Sequence, residues 1–142
     1  MTDHVLVPVD ESEPSDEAIR FATEQYPEAA ITALNVVDPR DAFAGASIEG
    51  AMPEEGILES REQHAEQLLE GVREDAAAKG VTIETDYVVG DVSRSVVDYV
   101  EENGVDHVII GSHGRTGASR VLLGSVAESV TRRSPVPVTV VR

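Results

Sequence analysis

No cysteine occurs in this 142-residue chain, which excludes a disulfide framework, a thiolate metal site and a cysteine nucleophile. Lysine is nearly missing too: Lys79 is the only one among 11 basic residues, which face 27 acids for a net charge of −16. A Walker loop needs Gly-Lys-Ser/Thr, and here Gly124-Ser125 follows Leu123. A receiver-type lysine at the end of the fifth strand is absent for the same reason. The turn after the first apolar run reads Asp10-Glu11-Ser12-Glu13-Pro14-Ser15, neither the G-x-G-x-x-G of a dinucleotide site nor the S-G-G-x-D-S of a pyrophosphatase-type loop. No apolar run approaches the ~18 residues of a membrane span, and the start lacks the basic-then-apolar pattern of a signal peptide. The expectation is a soluble, cytoplasmic protein with no membrane partner. Its acidity also argues against nucleic-acid binding, which needs a basic face. Acid in excess, with arginine replacing lysine, resembles the composition of proteins adapted to a high-salt cytoplasm; the plainer alternative is an ordinary acidic protein.

What is present alternates. His4 to Val9 is a compact β-type run in which Pro8 is tolerated because the strand is leaving the sheet. Ser12, Pro14 and Ser15 supply helix-start chemistry, and Ala18, Ile19, Ala22 and Tyr26 follow at helical spacing up to Pro27. Ile31 to Val37 predicts a second strand. Asp38 to Gly56 predicts a long loop, either a flap over a crevice or filler. Ile57 to Lys79 predicts the longest helix, with Ile57, Leu58, Ala65, Leu68, Leu69, Val72 and Ala76 on one face, stopped by Gly80. Val81 to Val89 predicts a third strand, and Asp91 is a natural N-cap for a helix ending before Gly104. Asp106 to Ile110, a helix from Ser125 to Arg133, and Val136 to Arg142 complete the series. Strands alternating with helices predict one α/β domain over residues 1–142, a doubly wound sheet of five parallel strands with helices on both faces. Ligand crevices in such sheets open at the carboxyl ends of strands, which makes Asp10 a candidate for the crevice or for a simple turn cap.

Val108 to Val130 carries the strongest signal. A short apolar strand ends at Gly111, a loop holds Gly114 and Gly117, and a helix begins at Gly124-Ser125. Glycines let amides line a concavity, and a helix start adds unpaired donors and a positive dipole end. Ser125 either caps that helix or turns its hydroxyl toward a phosphate or metal. Charge agrees: residues 107–142 hold one acid, Glu128, against Arg115, Arg120, Arg132, Arg133 and Arg142. A polyanion site on an acidic protein must be cleared of carboxylates.

The spacing Gly111-x2-Gly114-x9-Gly124-Ser125 resembles the nucleotide signature of the universal stress protein family, in its ATP-binding subclass. The opening H-V-L-V-P-V-D, then V-G-D-V-S, V-I-I-G-S-H-G-R-T-G and S-P-V-P-V-T-V-V, are similar to that family's landmarks and stand in its order across the chain. The resemblance implies an adenine nucleotide alpha hydrolase-like fold with strand order 3-2-1-4-5 and a crevice between the first and fourth strands. It implies that Pro8, Val9 and Asp10 lie against adenine and ribose and that Val37 packs on the base. It further implies ATP held by Gly111, Ser112, Gly114, Gly124, Ser125 and Val126, with Arg115 the nearest cation and Arg120 a weaker one. His113 either bonds a phosphate or fills the turn. Mg²⁺ or another divalent ion would accompany the nucleotide, since no dedicated carboxylate cage is evident. A homodimer through the last strand, Val136 to Arg142, is implied as well; Pro135 and Pro137 offer the alternative of a protected monomeric edge.

Hydrolysis is a separate matter, because it needs an oriented base at the γ-phosphate. The glycine loop has none, and Asp10 is the one plausible base. The expectation is a nucleotide-binding stress or regulatory protein with slow or no hydrolysis. The alternatives are a weak ATPase or an autokinase modifying Ser112 or Ser125, and a structural dimer with a vestigial site. His64 reads as a solvated helix residue, and Arg132 and Arg133 as cations at a helix C-terminus.

Overall fold

The computed structural model describes residues 2–40, 56–112 and 124–142. Five strands form one parallel sheet: β1 (His4–Pro8), β2 (Ala30–Val37), β3 (Glu84–Val89), β4 (His107–Gly111) and β5 (Val138–Val141). Between them run the helices α1 (Glu13–Gln25), α2 (Ile57–Ala78), α3 (Val92–Glu102) and α4 (Ser125–Arg133). The spatial order is β3-β2-β1-β4-β5, as the resemblance implied.

β1 is central, and Val5, Leu6 and Val7 are all fully buried, the run of apolar residues a strand needs when both its faces are covered. Alternation then divides the core. Val5, Val7 and Val9 join Ile31, Ala33 and Ile109 under Ala18 and Ala22 of α1 and Ala65, Leu69 and Ala76 of α2. Leu6, Leu34, Val108 and Ile110 face the other way, under Val96 and Val100 of α3 and Ala127 and Val130 of α4. The small alanines let α1 sit close on β1 and β4.

Several boundaries differ from the sequence reading, each for a local reason. β3 starts at Glu84, not Val81, because the end of α2 consumes the intervening residues. Gly80 takes φ +79°, its amide donates to Ala77 at 2.9 Å, and the Val81 amide donates back to Ala76 at 2.9 Å. β5 starts at Val138, not Val136, since Val136 is held in a turn by the Ser134 hydroxyl. Asp106 lies before β4: its Oδ2 accepts the amides of Asp3 and His4 at 2.9 Å each, clamping the two strand starts together. Leu58, expected on the inner face of α2, is exposed. Of the long loop expected from Asp38 to Gly56, residues 41–55 lie outside the described residues.

Candidate functional site

β1 and β4 are neighbours, yet the chain leaves them in opposite directions: β1 leads to α1 on one face and β4 to α4 on the other. A sheet with that reversal opens a crevice between the two strand ends. Of the predicted site residues, Pro8, Val9, Asp10, Gly111 and Ser112 come together at this edge, and Val37 ends the adjacent β2. His113, Gly114 and Arg115, with Arg120, lie outside the described residues.

The backbone at the crevice is fixed by a few directed bonds. The Val9 amide donates to the Leu34 carbonyl at 2.8 Å, and the Val9 carbonyl accepts from Asn35 Nδ2 at 2.8 Å. The Asp10 amide donates to the buried Ser15 hydroxyl at 2.9 Å, while Asp10 Oδ1 accepts the Ser12 amide at 2.8 Å and the Ser12 hydroxyl. Asp10 therefore makes an Asx-type turn into α1, one of its two expected roles. Ser12 occupies the N-cap position of α1, but its hydroxyl is turned back to Asp10 and caps nothing.

Gly111 has a packing role that the sequence reading did not anticipate. A Cβ on it would lie 2.8 Å from Pro14 Cβ and 2.9 Å from the proline backbone, so its bareness is what lets the start of α1 seat on the end of β4. Ser112 is buried; its amide donates to the Val141 carbonyl at 2.8 Å, extending the β4–β5 ladder by one bond. Its carbonyl accepts the Gly124 amide at 2.6 Å, so the segment that leaves at Ser112 returns beside it.

Gly124, not Ser125, is the N-cap of α4, with an extended backbone at φ −66° and ψ 155°. Ser125 is the first helical residue, so the capping role considered for it is corrected: capping needs the residue whose side chain can turn back over the first amides. Among the described residues no side chain caps this helix, whose first amides have no partner within the helix itself. Glu128 in the first turn and Arg132 in the last are joined as an i,i+4 pair.

Sequence reasoning missed Asn35, Asp38 and Arg40. Asn35 had a signal, a polar residue inside the apolar run Ile31 to Val37. Asp38 is only 7% exposed, and the Arg40 guanidinium bonded to it holds its carboxyl below the usual carboxylate range, against the opposing push of burial. Asp91 caps α3 by accepting the Arg94 amide at 3.1 Å, as expected, and also accepts from Arg40 at 2.9 Å. His64 is exposed, and it contacts Glu11 in the turn after Asp10. Among the described residues, no three metal-ligating side chains gather.

These features define a doubly wound α/β protein whose sheet reverses order between β1 and β4. The chain belongs to the universal stress protein family, whose model matches residues 1–142. It is 34% identical over 152 residues to universal stress protein YxiE of Bacillus subtilis, covering 100% of both chains. It is 34% identical over 140 residues to universal stress protein MJ0531 of Methanocaldococcus jannaschii, covering 97% of this chain and 81% of that one. The solved structure of MJ0577 from the same archaeon superposes with a TM-score of 0.82 at 29% identity, covering 99% of this chain and 96% of that one. Two more distant structures share the fold: a universal stress protein in complex with cAMP (TM-score 0.67, 23% identity, 99% and 97% covered) and an Arabidopsis thaliana family member with AMP bound (0.66, 19%, 98% and 90%).

Proposed function

We propose that this chain is an adenine-nucleotide-binding member of its family, taking ATP at the carboxyl ends of β1 and β4 and hydrolysing it slowly or not at all. The observation that carries this is the meeting of Ser112 and Gly124. The bond between them brings the start of α4, which no side chain among the described residues caps, beside the end of β4, in the part of the chain where acids are scarce. Amides at a helix start favour anions through both their free donors and the helix dipole. The donor set fits a phosphate chain; it does not fit a resident metal, so Mg²⁺ or another divalent ion would arrive with the nucleotide. Pro8, Val9, Asp10 and Val37 are the residues proposed for ribose and base, and Gly111, Ser112, His113, Gly114, Arg115, Gly124, Ser125 and Val126 those proposed for the phosphate side. Slow chemistry is supported by Asp10, the candidate base, whose Oδ1 already accepts two bonds from Ser12.

The AMP and cAMP complexes of the two distant relatives support the ligand class, and no α-helix among the described residues is long and apolar enough to cross a membrane. The proposal includes a cytoplasmic homodimer that pairs through β5, which stands at one edge of the sheet, and a composition suited to high salt.

Mass spectrometry of small molecules released from purified, denatured protein, with calorimetric titration of ATP into wild type and Gly114→Val, tests the site. Wild type is expected to bind and the variant to lose binding with its fold intact. Equal binding by both overturns the assignment.

A further inference from the structure

The ends of β2 and β3 carry a polar cluster that nucleotide binding by backbone amides leaves unused. The Asp38 carboxylate, 7% exposed, accepts the Arg40 amide at 2.9 Å, Arg40 Nε at 3.1 Å on each oxygen, and Arg40 Nη2 at 2.6 Å. The same Nη2 reaches Asp91 Oδ1 at 2.9 Å, and the other oxygen of Asp91 accepts the Arg94 amide that starts α3. Beneath this, the Gly90 amide donates to the Val37 carbonyl at 2.9 Å. One arginine thus ties together the end of β2, the end of β3 and the start of α3. Val37, buried at that end, immediately precedes the clamped Asp38.

We infer that Arg40 is a positioning residue: held between Asp38 and Asp91, it fixes the end of β2 as the wall on which a nucleotide base is selected. This rests on the adenine-nucleotide reading above. The chemistry requires arginine, because only the planar fork can meet both oxygens of Asp38 and still reach Asp91; lysine offers a point charge. Two carboxylates neutralise the guanidinium, so it is not an anion receptor, and its influence falls on the base and not on the phosphates. Without its side chain, the nearly buried Asp38 carboxylate keeps only the amide of residue 40 as a partner and is drawn toward water, which loosens the backbone at Val37.

The experiment is calorimetric titration of ATP, AMP and GTP into wild type, Arg40→Ala, Arg40→Lys and Asp91→Asn, with thermal unfolding of each. Coupling through a positioning residue is worth about two- to thirtyfold in affinity. The ATP-to-GTP affinity ratio should fall by about that factor in Arg40→Ala, with Arg40→Lys failing to restore it and Asp91→Asn shifting it less in the same direction. The ATP-to-AMP ratio should stay at the wild-type value, which separates a wall for the base from a general loss of structure. Should Arg40→Ala not fold, Arg40→Lys and Asp91→Asn decide. Unchanged ATP-to-GTP ratios, a parallel fall in the ATP-to-AMP ratio, or a wild type that binds ATP and GTP alike would each overturn the inference while leaving nucleotide binding intact. A wild type that binds no nucleotide removes the functional reading and this inference with it.

Discussion

Gly111 lies under Pro14 so closely that a Cβ on the glycine would come within 2.8 Å of the proline's own Cβ. The contact couples the end of β4 to the first turn of α1, which also carries the buried Ser15 that receives the Asp10 amide. Because part of the close contact is to proline backbone at 2.9 Å, no side-chain rotation relieves it. Gly111→Ala should therefore destabilise the protein by about 1–3 kcal/mol, the usual range for overpacking. Chemical denaturation measures it, and a variant as stable as wild type would mean that α1 slides freely over β4.

Ser125→Ala should change stability by less than about 0.5 kcal/mol, since Gly124 holds the cap position and the Ser125 side chain caps nothing. Asp91→Ala should cost about 1 kcal/mol or more, because that carboxylate caps α3 and also anchors Arg40. Urea midpoints of the two variants should therefore separate clearly. A loss in Ser125→Ala equal to that in Asp91→Ala would restore a capping role to the serine.

The architecture was readable because period and punctuation agreed. Short apolar runs rich in β-branched residues, such as Val5 to Val7 and Val108 to Ile110, read as strands buried on both faces, and Gly80, Asp91 and Gly104 mark helix ends by backbone freedom or side-chain capping. The strand order came from the family resemblance, because periodicity says which residues face a core and not which strands adjoin. What stayed hidden were contacts set by tertiary distance. Gly111 was legible as the glycine ending a strand, but not as the residue on which Pro14 packs, and Arg40 and Asp91 stand 51 positions apart although one guanidinium joins Asp91 to Asp38. Ser125 illustrates a one-residue ambiguity: either member of a Gly-Ser pair can cap a helix, and only the backbone angles choose.

Acidification should destabilise the fold in two stages. His107 packs beside the Tyr26 ring, with centroids 5.3 Å apart, and its Nε2 lies 2.7 Å from Thr139 Oγ1. Burial depresses its pKa below the ordinary 6.5, so the unfolded chain takes up a proton that the folded chain resists. Its contribution is full above about pH 6.5 and is lost as pH falls from there toward the depressed folded value. Asp38, through Arg40, and Asp106, through the amides of Asp3 and His4, are also depressed, below 3.8; their contributions persist down to that value and vanish beneath it. Urea midpoints should fall first below about pH 6.5 and again below about pH 4, with the first step missing in His107→Gln. A midpoint unchanged between pH 7 and about pH 5 would sink the His107 assignment.

Salt should stabilise this protein. A net charge of −16 on 142 residues opposes compaction, and many of the acids lie on exposed helix faces, such as Glu59, Glu66, Glu70 and Glu74 of α2. The Debye length falls from about 10 Å at 0.1 M to about 3 Å at 1 M, shorter than most separations between surface charges. The exposed pairs Arg73–Glu70 and Arg132–Glu128 are screened too, but each is worth at most about 1 kcal/mol. Repulsion among 27 acids outweighs a few such pairs. The thermal midpoint should therefore rise steadily with KCl from 0.1 M to about 1 M, where charge screening is nearly complete. A midpoint that is flat or falls over that range would mean that the acidic surface is neutral to stability and serves solubility alone.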